Sequence, residues 1–428
     1  MSGRNWIDNV PSDWELVRFS KVYEFHRGLD IRKQDLSDHG LPVISYGQIH
    51  AKDNPGVQLL TDHIRYIPPE LVKESQLDRS RLREGDIVFA DTSEDLEGAG
   101  NMVRAADTDF VYAGYHTLIA RPSKAFHHGY MAYQMISPSW RQQIQRAVQG
   151  VKVYSITQRI FGEVTLLRPP LADQQKIVES LECKTSEIDG LIEKLRREVE
   201  LLEQYRRELI ARTVTRGLDP DAPMRDSGIE WIGEIPEAWA LLRISALYDI
   251  RSQKVNDTDY QPLSVTMNGV VAQLEHVAKT NDGDNRKLVR AGDFVINSRS
   301  DRRGACGIAP QDGSCSLINI VLSPQQSIHN PYFSYLFRSS LFSDEFYRWG
   351  HGIHDDLWTT NWADMKSIQV PVPPLNHQVL IADYLDKKMS EINSTITGIN
   401  NQIELLGKYR KQVINDAVTG KIRVGKVA

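Results

Sequence analysis

Residues 6–14 read WIDNVPSDW and residues 231–239 read WIGEIPEAW. Each copy places Pro five residues after its first Trp and a second Trp three residues further on, and each runs on to an arginine, Arg18 or Arg243. A tryptophan-proline pattern of this length, written twice, implies a duplicated unit, and the match continues. REGDIVFA from Arg83 aligns with RAGDFVIN from Arg290, and RPPLADQQ from Arg168 aligns with VPPLNHQV from Val372. The offset falls from 225 to 207 to 204, so the first copy holds about twenty extra residues, most of them before Gly85. Beyond the Pro-Pro pairs the register holds without a gap: Ile188, Leu202, Tyr205, Arg206 and Thr215 answer to Ile392, Leu406, Tyr409, Arg410 and Thr419.

A chain of 428 residues is too long for one core and calls for two to four domains. Its 41% hydrophobic and 25% charged content is that of a soluble globular protein. No window approaches the roughly 18 consecutive apolar residues of a membrane span, and MSGRNWIDNV lacks the apolar core of a signal peptide. The expectation is a cytoplasmic protein without a membrane partner. Three cysteines, Cys183, Cys306 and Cys315, form neither a CxxC nor an even set, which argues against a disulfide framework or a zinc knuckle. The net charge of −5 gives no global signature of nucleic-acid binding. Only residues 372–428 are basic, with 8 Lys or Arg against 5 Asp or Glu, so any DNA-binding surface must be a local patch.

From Gln174 to Arg212 the chain has no proline and Gly190 as its one glycine. Val178, Thr185, Ile192 and Val199 take one heptad position, and Leu181, Ile188, Leu195, Leu202 and Leu209 take the other. In the second copy Ala382, Met389, Ile396 and Ile403 alternate with Leu385, Ile392, Ile399, Leu406 and Val413. Four heptads with an apolar seam predict coiled-coil helices, longer than the domains beside them require. The Pro-Pro pairs give each helix a stiff extended entry, with Asp173 and Asn376 as expected N-caps. Arg206 and Arg410 fall on the seam, where their stems are expected to pack and their guanidinium groups to snorkel to water. A short route between the seams favours antiparallel pairing and an approximate two-fold repeat.

In each variable unit a turn precedes a buried strand (DIVFA from Asp86, DFVIN from Asp293). Gly-rich polar stretches follow at Asp91 and Ser298, then second strands at His116 and Ile318, then aromatic helical stretches from Gly129 and Asn330. Tyr130, Tyr133, Tyr332 and Tyr335 read as core residues. Catalytic motifs are missing. Asn330-Pro331-Tyr332 lacks the second proline of an adenine methyltransferase motif and reads as a helix start with Pro in its first turn. Gly98-Ala99-Gly100 follows an acidic run rather than a strand. His351 and His354 have no complementary ligands and read as structural or surface residues, so no metal is expected.

Basic and polar loops remain as DNA readers. Asn297, Ser298, Arg299, Arg302 and Arg303 cluster just after a strand, where Arg can reach guanine edges or phosphate, although Asp301 sits among them. In the first unit Arg27, Arg32, Lys33, Tyr46 and Gln48 lie in the longer stretch, and Lys152, Tyr154, Ser155 and Gln158 follow Gly150.

The duplicated W-x4-P-x2-W opening, the GD-led strand, the PPL-x2-Q entry and the long matched helix together resemble the specificity subunit of type I restriction-modification systems. The resemblance covers nearly the whole chain. It implies an α+β fold in which two similar target-recognition domains, residues 1–168 and 219–371, are separated by antiparallel coiled-coil spacer helices, residues 169–218 and 372–420, with a tail at 421–428. It also implies no catalysis in this chain. Recognition of a bipartite double-stranded DNA target is expected. Two methylation subunits, which bind S-adenosylmethionine and methylate adenine N6, would dock on the helices and domains, and restriction subunits can join. This chain itself would hold no cofactor. Asp173 stands where the family often has Glu, and His377 replaces the acidic residue in the second copy, which puts capping there in doubt. Two other readings stay open: a coiled-coil interaction scaffold without DNA binding, and an enzyme of unrecognised type.

Overall fold

The computed structural model describes residues 7, 10–106, 110–124, 126–150, 152–273, 283–352 and 358–423; Trp6 and His354 lie outside them. The fold is mixed α and β and forms two compact units, residues 1–194 with 401–428, and residues 195–400.

In the first unit an antiparallel sheet runs in the order Tyr23–Arg27, Thr117–Pro122, Ile87–Ala90, Met102–Arg104. The second unit repeats it strand for strand as Tyr248–Ile250, Asn319–Pro324, Phe294–Asn297, Cys306–Ile308. The GD pairs explain the shared centre of both sheets. Gly85 and Gly292 take φ of 86° and 88°, a region open to glycine, so the chain can turn into the strand. The following carboxylates, Asp86 and Asp293, accept the N–H of Arg83 and Arg290 at 2.9 and 2.8 Å and close that turn. Both are buried and paired with an arginine, Arg121 at 2.8 Å and Arg251 at 2.6 Å. The arginines come from different places in the two copies, which is why the repeat does not reveal them.

Helices cover one side of each sheet. The aromatic stretches are each two helices rather than one, His128–Ile136 with Pro138–Ala147, and Asn330–Arg338 with Ser340–Arg348. The break falls at Ser137 and Ser339, whose hydroxyls accept the N–H of Trp140 and Phe342 at 3.4 and 3.3 Å. Pro331 sits in a helical first turn as expected. Tyr130, Tyr133 and Tyr332 are buried and Tyr335 half-buried. Burying each aromatic side chain of this size contributes about 1.5–3 kcal/mol.

The heptad segments are helices of 46 and 44 residues, Leu171–Arg216 and Leu375–Val418. Every seam position named above is buried or half-buried. Within the first unit Val178 and Leu181 share a core with Ile414 and Val418, and Asp189 pairs with Arg410, an antiparallel order. Within the second unit Val214 and Leu209 pack with Ile381, Leu385 and Met389, and Arg206 meets Asn393, again antiparallel.

Two expectations about these helices need correction. Asp173 and Asn376 are not N-caps: the helices begin at Leu171 and Leu375, so both residues lie inside the first turn. Gln174 and Gln378 organise the entry instead. Each buried amide donates to the carbonyl of Pro169 or Pro373 at 2.8 Å, and each accepts the N–H of His127 or His329 at 3.0 and 2.8 Å. The seam arginines do more than snorkel. Arg410 holds both carboxylate oxygens of Asp189 at 2.8 and 3.0 Å, and Arg206 donates to Asn393 at 3.2 Å and pairs with Glu203.

The repeated opening finds its purpose at the helix ends. Gly217 and Gly420, with φ of 75° and 74°, follow the two helices. A Cβ on Gly217 would lie 3.0 Å from the Trp239 ring, and one on Gly420 would lie 2.5 Å from Pro11 and 3.2 Å from Trp14. Tyr130 and Tyr332 add hydroxyls that donate to the carbonyls of Val418 and Val214 at 3.2 and 2.8 Å. The P-x2-W of each copy is thus a seat for the end of a long helix.

The copies part company in their second sheets. The first unit pairs Arg65–Ile67, Leu41–Ile44 and Tyr112–Ala113. The second pairs Lys254–Val255, Arg286–Val289 and Gly313–Cys315, and adds a hairpin of Leu263–Thr266 with Gly269–Ala272. Among the described residues no helix is long and apolar enough to cross a membrane.

Candidate nucleic-acid interface

The equivalent strands Ile87–Ala90 and Phe294–Asn297 run in the same sense through their sheets, so the loops that leave them emerge at the same sheet end. Most candidate residues collect there.

In the second unit Asn297, Ser298, Arg299, Arg302 and Arg303 come together on one loop with the short helical turn Ser300–Arg302. They play different parts. Ser298 is buried and its hydroxyl donates to the Ile318 carbonyl at 2.6 Å, so it anchors the loop. Asn297 accepts the Arg299 N–H at 3.0 Å, which sets the turn. Arg299 pairs with Asp301 at 3.1 Å, and Arg302 has the same carboxylate at 4.0 Å. Arg303 pairs with Asp344 at 3.4 Å and lies over the Tyr347 ring at 5.3 Å. Burial pushes the Tyr347 hydroxyl above its ordinary range; that hydroxyl donates to the carbonyls of Asn297 and Arg302 and ties the loop at both ends.

The first-unit candidates divide. Tyr46 and Gln48 sit in the one-turn helix Tyr46–Ile49, where Gln48 spends its carbonyl on the Ser45 N–H at 3.1 Å. The Tyr46 ring packs 4.5 Å from His50 and 6.3 Å from His116. Tyr154 and Ser155 pair with Ser93 and Thr92, and Tyr154 also packs on the core. His50 reaches the Thr92 carbonyl at 3.0 Å, so Tyr46, Tyr154 and Ser155 surround one loop. Arg27 ends its strand opposite Leu118. Arg32 and Lys33 begin a separate exposed turn, Lys152 is exposed, and Gln158 opens the helix Gln158–Glu163; among the described residues no hydrogen bond or ion pair joins these four to that cluster.

Sequence reasoning missed His50, His116 and Asp91. His116 takes φ of 52°, uncommon for a side-chain-bearing residue, and its Nδ1 lies 3.1 Å from Asp91. Burial, then Glu94 and Asp95, raise the Tyr46 hydroxyl above its ordinary range, marking an acidic surround. Nothing in the local pattern announces this cluster, because its members come from four separate segments. His351, for its part, lies 3.4 Å from Asp364.

Residues 248–405 match the family model described as the type I restriction modification DNA specificity domain. A Methanocaldococcus jannaschii chain carrying the name type I restriction enzyme MjaX specificity subunit is 23% identical, across 98% of this chain and 96% of its own length. Along nearly its whole length the chain is similar to type I restriction-modification specificity subunits. The StySPI specificity subunit of Salmonella potsdam is 20% identical across 96% of this chain and 90% of its own length. A solved chain described for complex assembly and conformational transition of the type I R-M system shares the fold, with a TM-score of 0.71 at 16% identity over 97% of this chain and 100% of that one. The HsdS subunit from Thermoanaerobacter tengcongensis gives 0.55 at 16% identity, over 97% and 99%.

Proposed function

We propose that this chain reads a bipartite double-stranded DNA target, one half-site per recognition unit, and that the two long helices act as the spacer that fixes the gap. The observation that supports it most is a repeated sheet whose same end carries a different loop in each copy, with each copy holding part of both helices. A helix of 46 residues extends about 69 Å, long enough to bridge groove segments one or more turns of DNA apart. A stiff tether makes the second contact intramolecular, so each unit can bind weakly, consistent with the absence of a strongly basic chain.

Catalysis belongs, in this reading, to partners: two methylation subunits docked on the helices and recognition units bring S-adenosylmethionine and the adenine-N6 chemistry, and restriction subunits can join. Partner subunits also supply phosphate contacts, which position the complex without carrying sequence information. The protein works in the cytoplasm. The test is to map methylated adenines in cells that express the whole complex. Removing one heptad from each helix, residues 194–200 and 398–404, shortens the spacer by about 10 Å, or about three base pairs. The gap should shrink while the bases read stay the same. A deletion that changed the bases and left the gap would overturn the spacer reading.

A further inference from the structure

We infer that the second unit reads its half-site with a two-sided groove, in which Arg302 and Arg303 meet a guanine edge and the hairpin turn at Met267 makes an apolar contact to a neighbouring base. The inference rests on the DNA-reading proposal above and adds the element that reads and the chemistry it selects.

The groove, of about 580 Å³, opens between the hairpin Leu263–Ala272 and the loop Ser298–Arg303. A two-stranded ribbon of this kind has the width that the major groove of B-DNA admits. The hairpin is held rather than free. Gly307 lets it approach so closely that a Cβ there would lie 2.9 Å from the Gly269 Cα, and Arg338 donates to the Met267 carbonyl at 3.1 Å. Met267 at the turn is nevertheless 68% exposed, an apolar side chain presented at the tip of a rigid element.

Across the groove, Arg302 is 70% exposed at its side chain and Asp301, at 4.0 Å, holds it only loosely. Arg303 is 59% exposed and pre-oriented by the Tyr347 ring. Two guanidinium groups with planar donor forks, placed by a buried scaffold, suit the paired acceptors of guanine. The floor supplies an independent sign of a polar ligand. Asn319 lines the groove, is 5% exposed, and its side-chain oxygen has no hydrogen-bond partner among the described residues. A bound base or its bridging water satisfies such a group.

The test uses the complete complex with its methylation partners and reads the methylated-adenine map. Arg302→Ala and Arg303→Ala should each relax one guanine position of a single half-site by about tenfold or more, with the other half-site and the gap unchanged. Arg302→Lys keeps the charge and loses the fork; it should retain overall binding and still lose the guanine preference. Met267→Ala should relax the adjacent position. Variants that keep the full target while binding weakens evenly across sequences, with a shallower salt dependence, would make these arginines phosphate contacts and overturn the inference. Arg302→Lys indistinguishable from the parent chain would overturn it as well. A parent complex that methylates no bipartite target would sink the DNA-reading proposal itself, a separate result visible before any variant is made.

Discussion

The two helix-end seats are nearly the same, whereas the two loops at the sheet ends carry opposite charge. Gln174 and Gln378, Tyr130 and Tyr332, and Gly420 and Gly217 make matching contacts in both units. By contrast, the loop after Ala90 carries Asp91, Glu94, Asp95 and Glu97, while the loop after Asn297 carries Arg299, Arg302 and Arg303. Where the chain must hold a helix, duplication preserves the contact; where it faces outward, the copies diverge. One pair sits between these extremes. Arg410 grips a carboxylate at Asp189, and its counterpart Arg206 meets the neutral amide of Asn393 at the matching position.

The largest effect is expected where the two seats differ in burial. Trp239 is 3% exposed and Trp14 half-buried, so Trp239→Ala should cost about 3–5 kcal/mol and Trp14→Ala clearly less, read from denaturant midpoints of the full chain. Equal losses would mean that the seats are energetically alike despite their packing. Breaking a buried ion pair comes close behind: Asp86→Ala strands Arg121 and should cost about 3 kcal/mol or more by the same measurement.

At the helix ends, Gly420→Ala combines a left-handed backbone with a collision against Pro11 and should cost about 1–2 kcal/mol; Gly217→Ala, whose nearest neighbour is further away, should cost less. Tyr332→Phe leaves the Val214 carbonyl without its donor and should cost about 1 kcal/mol. The smallest change tests the pair that differs. Asn393→Asp should give Arg206 a second carboxylate partner beside Glu203 and add up to about 1 kcal/mol at low salt, fading as salt rises. If it stabilises nothing, geometry rather than charge distinguishes the two arginines.

The parts of this fold visible in the sequence are those whose cause is periodic or local. The heptads put every seam residue on a packed face, and the GD turns put DIVFA and DFVIN at the centre of their sheets. The capping residues were misplaced because the cap is tertiary: Gln174 organises the helix start through the N–H of His127, 47 residues away. Candidate readers such as Gln48 and Ser298 look available as letters but are spent on the Ser45 N–H and the Ile318 carbonyl. His116 and Met267 carried no signal at all, since their exposure and conformation arise only when distant segments meet.

The reciprocal seating of the helices also bears on how the chain is made. Tyr130 donates to the carbonyl of Val418, 288 residues later, and Ile414, Ala417 and Val418 belong to the core of the first unit. During synthesis that core stands open until nearly three hundred further residues have left the ribosome, whereas the second unit has all its parts once residue 400 emerges. The half of the molecule that is translated first therefore finishes last, and for that interval its apolar floor lacks its cover.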